Sequence, residues 1–107
     1  MNNVGAGKAG NLDKHSIWDS MRQINTNINS QTYMSMFLLP RLLKGESRSA
    51  IINVSSVVAL PPTSKLAGII PVYSATKAYN LALSQAMFNQ YKDKIDVMTV
   101  TPSSVKT

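Results

Sequence analysis

The chain has 107 residues, 44% of them hydrophobic and 15% charged, a size that suits one ordinary domain and argues against two. Charge is sparse beside the roughly 25% of an average soluble domain, and with 29 Ser, Thr and Asn residues filling much of the gap, charge-driven disorder is excluded. There is no Cys and only one histidine, His15, which rules out a disulfide framework and a thiolate metal site, predicts no metal centre, and leaves the redox compartment open.

Eleven Lys and Arg against five Asp and Glu leave a net charge of +6, which favours anionic partners in general. The basic residues are scattered from Lys8 to Lys106 without a run and without interleaved aromatics, so no nucleic-acid partner is expected. No apolar stretch approaches the roughly 18 residues of a membrane span, and the start lacks the layout of a signal peptide. The chain reads as soluble.

Residues 1–15 are rich in Gly and Asn, have no period, and read as a loop with His15 solvated at its end. Gly5-Ala6-Gly7-Lys8-Ala9-Gly10 fits G-x-G-x-x-G. A dinucleotide fingerprint must follow a strand and open a helix, however, and only four residues precede this one. Ser16 and Asp19 resemble a capping box with Asp in the Glu position, and Ile17, Met21, Ile24 and Ile28 then recur at helical spacing. The stripe continues through Phe37, Leu38, Leu42 and Leu43, with a kink expected at Pro40 and a stop at Gly45. Trp18 and Met21 on this helix read as core or partner-facing.

Residues 50–54, short, apolar and β-branched, predict a buried strand. Residues 55–72 contain Pro61, Pro62, Gly68 and Pro71 and should be irregular. From Tyr73 to about Lys92 neither Pro nor Gly occurs, and Ala78, Leu81, Ala82, Gln85 and Phe88 share one face of a predicted helix. Residues 97–101 predict a second strand, ended by Pro102. Helix, strand, helix, strand is the alternation of an α/β fold with a parallel sheet. Two such strands cannot form a stable parallel sheet alone, because they are apolar on both faces and expose unpaired edges. The pattern is that of a slice of something larger.

Chemistry concentrates at Tyr73-Ser74-Ala75-Thr76-Lys77. Tyr and Lys four apart lie one above the other on a helix, so the Lys77 ammonium can approach the Tyr73 phenol and stabilise its ionised form. The spacing is common by chance and gains weight from Ser55-Ser56, which directly follows the first strand, at the carboxyl end where open α/β sheets place ligands. A hydroxyl there can hold a carbonyl while the phenol donates a proton.

Taken with three further segments, these residues resemble the short-chain dehydrogenase/reductase family. Asn2-Asn3-Val4-Gly5 is similar to the family's Asn-Asn-Ala-Gly motif after its fourth strand, and Asn27 matches the active-site Asn of the long helix. Asn25 and Asn29 flank Asn27, so a register two residues away is the alternative. Ile52-Asn53-Val54-Ser55-Ser56 matches the catalytic Ser segment, with Ser56 in the Ser position, and Tyr73 and Lys77 match Tyr-x-x-x-Lys. The stretch from Thr99 to Thr107 is similar to the segment after the sixth strand. Within the family the strings look most like the branch of 17β-hydroxysteroid dehydrogenases and very-long-chain 3-oxoacyl-CoA reductases.

The resemblance implies a partial Rossmann-like, doubly wound parallel sheet over residues 1–107, the catalytic half, with the N-terminal strands missing. It implies NADP(H) or NAD(H) as cofactor, a steroid or acyl-CoA ketone as substrate, and hydride transfer to it. Tyr73 would be the general acid, Ser56 would orient the carbonyl, Lys77 would tune Tyr73 and bind the ribose, and Asn27 would sustain a proton relay. Asn2, Gly5, Tyr73, Lys77, Pro102, Val105 and Thr107 would contact the cofactor. The family's Gly-rich turn after its first strand is absent from these residues, so the chain by itself is expected not to turn over. The alternative class is a non-catalytic remnant that associates with another chain through its long helices, which in this family commonly form a dimer's bundle. For a full-length relative of this branch, the resemblance implies the endoplasmic reticulum membrane.

Overall fold

A computed structural model of the chain describes residues 1–60 and 65–103. The order of elements is a 3-10 turn (Leu12–Lys14) within the stretch read as loop, α1 (Ile17–Ile24), a π-helical turn (Asn25–Asn29), α2 (Ser30–Lys44), β1 (Ser49–Val54), a second 3-10 turn (Val57–Ala59), α3 (Lys65–Ile69), α4 (Pro71–Tyr91) and β2 (Ile95–Val100). The two strands pair in parallel from Ser49↔Ile95 to Val54↔Val100, with α4 as the crossover packed on both. On the other edge of β1, Asn2 continues the parallel pairing: its N–H donates to Ile52 O (2.8 Å) and its carbonyl accepts from Val54 N–H (3.1 Å). The α/β class and the parallel sheet expected from the alternation are what the chain adopts.

Both strands begin at a polar clamp. The Arg48 guanidinium donates to Asp96 Oδ1 (3.0 and 2.7 Å) and to Lys92 O (2.9 Å), tying the start of β1 to the turn that feeds β2. That turn lets β2 start at Ile95, two residues before the apolar run that predicted it. On β2 exposure alternates along the strand, with Ile95 fully buried and Asp96, Met98 and Val100 outward. The strand is therefore covered on one face rather than two. A segment with three prolines and a glycine holds only short helical pieces among its described residues, and Pro71 opens α4 at the first helical position, where its missing N–H costs nothing.

The long helix departs most from its sequence pattern. Its start is as expected: Ser16 Oγ accepts the Asp19 N–H (3.1 Å) and donates to the Asp19 carboxylate (2.9 Å). Its inward face is polar. The apolar stripe is largely in solvent, with Ile17 77% exposed and Met21 and Ile24 also exposed, as is Trp18 beside it, while Gln23, Asn27, Gln31 and Ser35 are buried. Steps of four residues drift by about 40° each on a helix of 3.6 residues per turn. The wider turn at Asn25–Asn29, where Ser30 N–H reaches back to Asn25 O, offsets that drift and keeps the polar seam in line. Asn27, not Asn25 or Asn29, is the inward residue. Pro40 lies within α2, which runs on to Lys44, and Gly45 ends it in extended rather than left-handed conformation.

On α4 the predicted face is likewise the outer one, with Ala78, Ala82, Gln85 and Phe88 exposed. The face against the sheet and the long helix is Ser74, Thr76, Lys77, Asn80, Ser84 and Met87. Buried polar side chains survive there because hydrogen bonds replace water. Asn53 Nδ2 donates to Ser84 Oγ (2.8 Å), Ser84 Oγ to Asn80 O (2.8 Å), and Gln31 Nε2 to Asn80 O (3.4 Å). Only Val58, Met87 and Ile95 are buried apolar side chains among the described residues.

Candidate active site

A cleft of about 390 Å³ opens where both strands end, lined by Asn3, Gly5, Gly7, Val54, Ser55, Ser56, Tyr73, Lys77, Pro102 and Ser103. Parallel pairing aligns the carboxyl ends of β1 and β2, and β1 hands the chain to Ser55 and Ser56 at that edge. The Ser55 N–H donates to Val100 O (2.8 Å) and the Val57 N–H to Pro102 O (3.2 Å), which fixes the rim.

The two serines have different surroundings. Ser55 is buried and its hydroxyl donates to Lys77 O (2.8 Å), anchoring α4 to the strand. Ser56 is half-buried, and its hydroxyl accepts only a long bond from Val58 N–H (3.4 Å). Of the pair, Ser56 keeps a hydrogen to donate into the cleft.

Tyr73 and Lys77 sit one turn apart near the start of α4. The Lys77 ammonium is 5.5 Å from the centroid of the Tyr73 ring and donates to Val54 O (3.0 Å). Lys77 is 3% exposed, and this burial pushes its ammonium below the usual lysine value, because a charge is harder to keep away from water. An ammonium has three hydrogens. One goes to Val54 O, and no carboxylate pairs with Lys77 among the described residues.

Asn27 is not at the cleft wall. Its Oδ1 accepts the Ala6 N–H (2.7 Å), and its Nδ2 donates to Ala6 O (2.7 Å) and to Thr76 Oγ1 (2.8 Å). Thr76 Oγ1 donates in turn to Tyr73 O (2.7 Å). The amide hydrogens of Asn27 are thus engaged in joining the loop at residue 6 to the helix that carries Tyr73. Gly5 lines the cleft, where a Cβ would come within 3.4 Å of Lys77 Nζ and 3.7 Å of Asn27 Oδ1. Asn2 is held by its backbone in the sheet and lines a separate groove with Met34, Leu38 and Ile52, whereas its neighbour Asn3 faces the cleft. Pro102 lines the cleft; Val105 and Thr107 lie outside the described residues. Gly7, whose G-x-G-x-x-G string reads as loop, and Ser103 also line the cleft, while Thr76 joins Asn27 to the start of α4.

The family model described as short chain dehydrogenase matches residues 1–107, the whole chain. The chain belongs to the short-chain dehydrogenase family. Hydroxysteroid dehydrogenase-like protein 1 of Gallus gallus is 36% identical over 98 residues, which is 91% of this chain and 27% of that protein. Very-long-chain 3-oxoacyl-CoA reductase of Anas platyrhynchos is 36% identical over 87 residues, 80% of this chain and 26% of its own length. The 17-beta-hydroxysteroid dehydrogenase type 3 of Mus musculus is 32% identical over 90 residues, 83% and 28% respectively. This chain therefore spans about a quarter of the length of these relatives. Among solved structures, the bulky-bulky ketone specific alcohol dehydrogenase from Comamonas testosteroni superposes with a TM-score of 0.87 at 29% identity, over 98% of this chain and 40% of its own. A short-chain dehydrogenase from Sphingobium yanoikuyae in complex with NADPH gives 0.86 at 29% identity, over 98% and 40%.

Proposed function

We propose that these residues supply the catalytic half of a nicotinamide-dependent reductase that converts a ketone of a steroid or 3-oxoacyl-CoA to the alcohol. The observation that carries the reading is the convergence of Ser56, Tyr73 and the buried Lys77 on one cleft at the ends of parallel strands. Relatives named as 3-oxoacyl-CoA reductase and 17-beta-hydroxysteroid dehydrogenase support the substrate class, and similar structures solved with NADPH and NADP support the cofactor.

The residues present fit such a cofactor. The Lys77 ammonium has N–H groups beyond its bond to Val54 O, suited to ribose hydroxyls, and Gly5 offers backbone without a side chain beside it. Bound there, a reduced nicotinamide would supply the hydride that forms the new C–H bond at the carbonyl carbon. The Ser56 hydroxyl donates a hydrogen bond to the ketone oxygen and holds it toward Tyr73. As the carbonyl double bond opens, the Tyr73 phenol gives its proton to that oxygen, and the nearby Lys77 charge stabilises the phenolate left behind. Asn27 acts through Ala6 and Thr76, holding the loop and α4 in register. The 107 residues by themselves lack the family's Gly-rich turn and do not turn over, because binding energy remote from the carbonyl is needed to position the hydride donor.

NADPH oxidation with a 17-ketosteroid and with a 3-oxoacyl-CoA tests this. The assay is run on the chain alone and on a chimera in which it replaces the matching segment of a very-long-chain 3-oxoacyl-CoA reductase. Activity is expected only in the chimera and should fall about 10²- to 10⁴-fold in Tyr73→Phe. A folded chimera that neither binds NADPH nor reduces either ketone overturns the proposal, and reduction by the chain alone overturns its claim of incompleteness.

The exposed apolar faces of the long helix and α4, including Ile17, Trp18, Met21 and Phe88, favour a second reading in which these helices pack against another chain. In sedimentation the chain should run larger than a monomer, and the double variant Trp18→Glu, Met21→Glu should run as one. A wild-type chain that is monomeric at high concentration removes this reading.

A further inference from the structure

The loop at residues 6–8 is stitched to the long helix at regular intervals. The Lys8 ammonium pairs with the Asp19 carboxylate, the Lys8 N–H donates to Gln23 Oε1 (3.1 Å), and Asn27 takes both the N–H and the carbonyl of Ala6 (2.7 Å each). Asp19, Gln23 and Asn27 are spaced four apart and lie along one side of the helix. Gln23 is 2% exposed and is itself steadied by its Nε2 bond to Asp19 O (3.4 Å), so it offers Lys8 a fixed acceptor.

With residues 6 and 8 tied to the helix, Gly7 between them lies against Tyr73. A Cβ at Gly7 would stand 3.0 Å from Tyr73 Cδ2 and 3.3 Å from Cγ, tighter than ordinary side-chain contact, so the ring would have to give way by a few tenths of an ångström. Gly7 φ is not in the left-handed region, so the backbone does not require glycine there. The contact favours it. One side of the Tyr73 ring is seated by loop backbone, and the Lys77 ammonium stands 5.5 Å from the ring centroid.

We propose that Gly7 and Gln23 are positioning residues for Tyr73: Gln23 holds the loop at Lys8 so that the bare backbone of Gly7 seats the phenol ring. Neither residue touches a reacting atom. This deepens the reductase reading and rests on it for its catalytic consequence, since an acid displaced by about 1 Å loses on the order of 10²-fold in rate.

The test has two readouts. In the labelled 107-residue chain, the Gly7 Hα signals should be displaced by the ring current of the aromatic side chain beneath them. That displacement should persist in Tyr73→Phe, vanish in Gln23→Leu, and return in Gln23→Glu, which keeps the acceptor. Gly7→Ala should move the Tyr73 ring signals. In the active chimera, Gly7→Ala and Gln23→Leu should lower kcat at least tenfold with KM changed less than twofold, and Gln23→Glu should recover most of the loss.

Unchanged Gly7 and Tyr73 signals in folded Gln23→Leu overturn the proposal, as does a Gln23→Glu no better than Gln23→Leu. If the variants fail to fold, the wild-type chain decides: amide exchange at Lys8 no slower than at exposed Ala9 overturns it. Intact ring signatures beside a chimera inert to ketones would instead sink the reductase reading and leave the seat of Tyr73 standing.

Discussion

On the long helix, Gln23, Asn27, Gln31 and Ser35 are buried while Ile17, Trp18, Met21, Met36 and Phe37 stand in solvent; on α4, Thr76, Lys77, Asn80 and Ser84 are buried while Tyr79 and Phe88 are not. An amphipathic helix at a protein surface ordinarily does the reverse. The difference teaches what each face is for. The inner face carries amides and hydroxyls because it must grip backbone at named places, such as Ala6 and Asn80, near the cleft. The outer face carries exposed apolar side chains, which packing against another chain, as proposed above, would cover.

The inner face should therefore be the costly one to disturb. The largest effect is expected for Asn27→Leu, which leaves the Ala6 N–H and carbonyl and Thr76 Oγ1 without that partner. A loss of about 3 kcal/mol in urea unfolding is expected, and a loss below about 0.5 kcal/mol would mean that the seam is not what holds the loop. Next come the serines. Ser55→Ala should cost about 1 kcal/mol by removing its buried bond to Lys77 O, whereas Ser56→Ala should change stability by less than about 0.5 kcal/mol and act on ketone reduction in the chimera instead. Equal unfolding midpoints for the two would erase the distinction between anchor and cleft residue.

Asn80 sharpens the comparison from the opposite direction. Its side-chain Oδ1 is buried without a hydrogen-bond partner among the described residues, while its backbone carbonyl serves Gln31 and Ser84. Asn80→Leu keeps the backbone bonds and removes the orphaned oxygen, so it should stabilise the chain by about 1 kcal/mol in the same unfolding experiment. A destabilised variant would show that the amide of Asn80 is needed where it lies.

The smallest effect concerns pH. Burial lowers the ammonium of Lys77 in the folded chain, so between that lowered value and the usual lysine value the unfolded state holds more protons. Stability from this group should therefore rise as pH climbs through that window, and below it the cost of the buried charge is present in full. Lys77→Met should remove the rise and raise stability below the window. A Lys77→Met chain with the wild-type pH profile would contradict the burial argument.

Much of the site was legible in the sequence. The Tyr73–Lys77 spacing, Ser56 after a β-branched strand, Asn27 on the long helix and Gly5 near the start are local patterns, and local patterns survive because helix and strand periods put those side chains on known faces. The two strands and the two long helices were legible too, to within two residues at their ends, whereas α3 lies in a stretch read as irregular. What the periods left open was which side of each long helix meets this chain. Apolar periodicity reports which face avoids water, and it cannot say whether the neighbour is this chain or another one.

By itself, then, the sequence determined the order of the strands and long helices, the α/β class, the family and the residues proposed to carry its chemistry. Only the tertiary structure decided that Ser55 is an anchor while Ser56 stays open to the cleft, and that Asn27 joins Ala6 to Thr76 rather than facing the cleft. It also decided that Gly7 lies against Tyr73, so that a side chain there would press on the ring. These are contacts between residues 20 to 70 apart, set by how a loop, a helix and a strand end meet, and no local period encodes such a meeting.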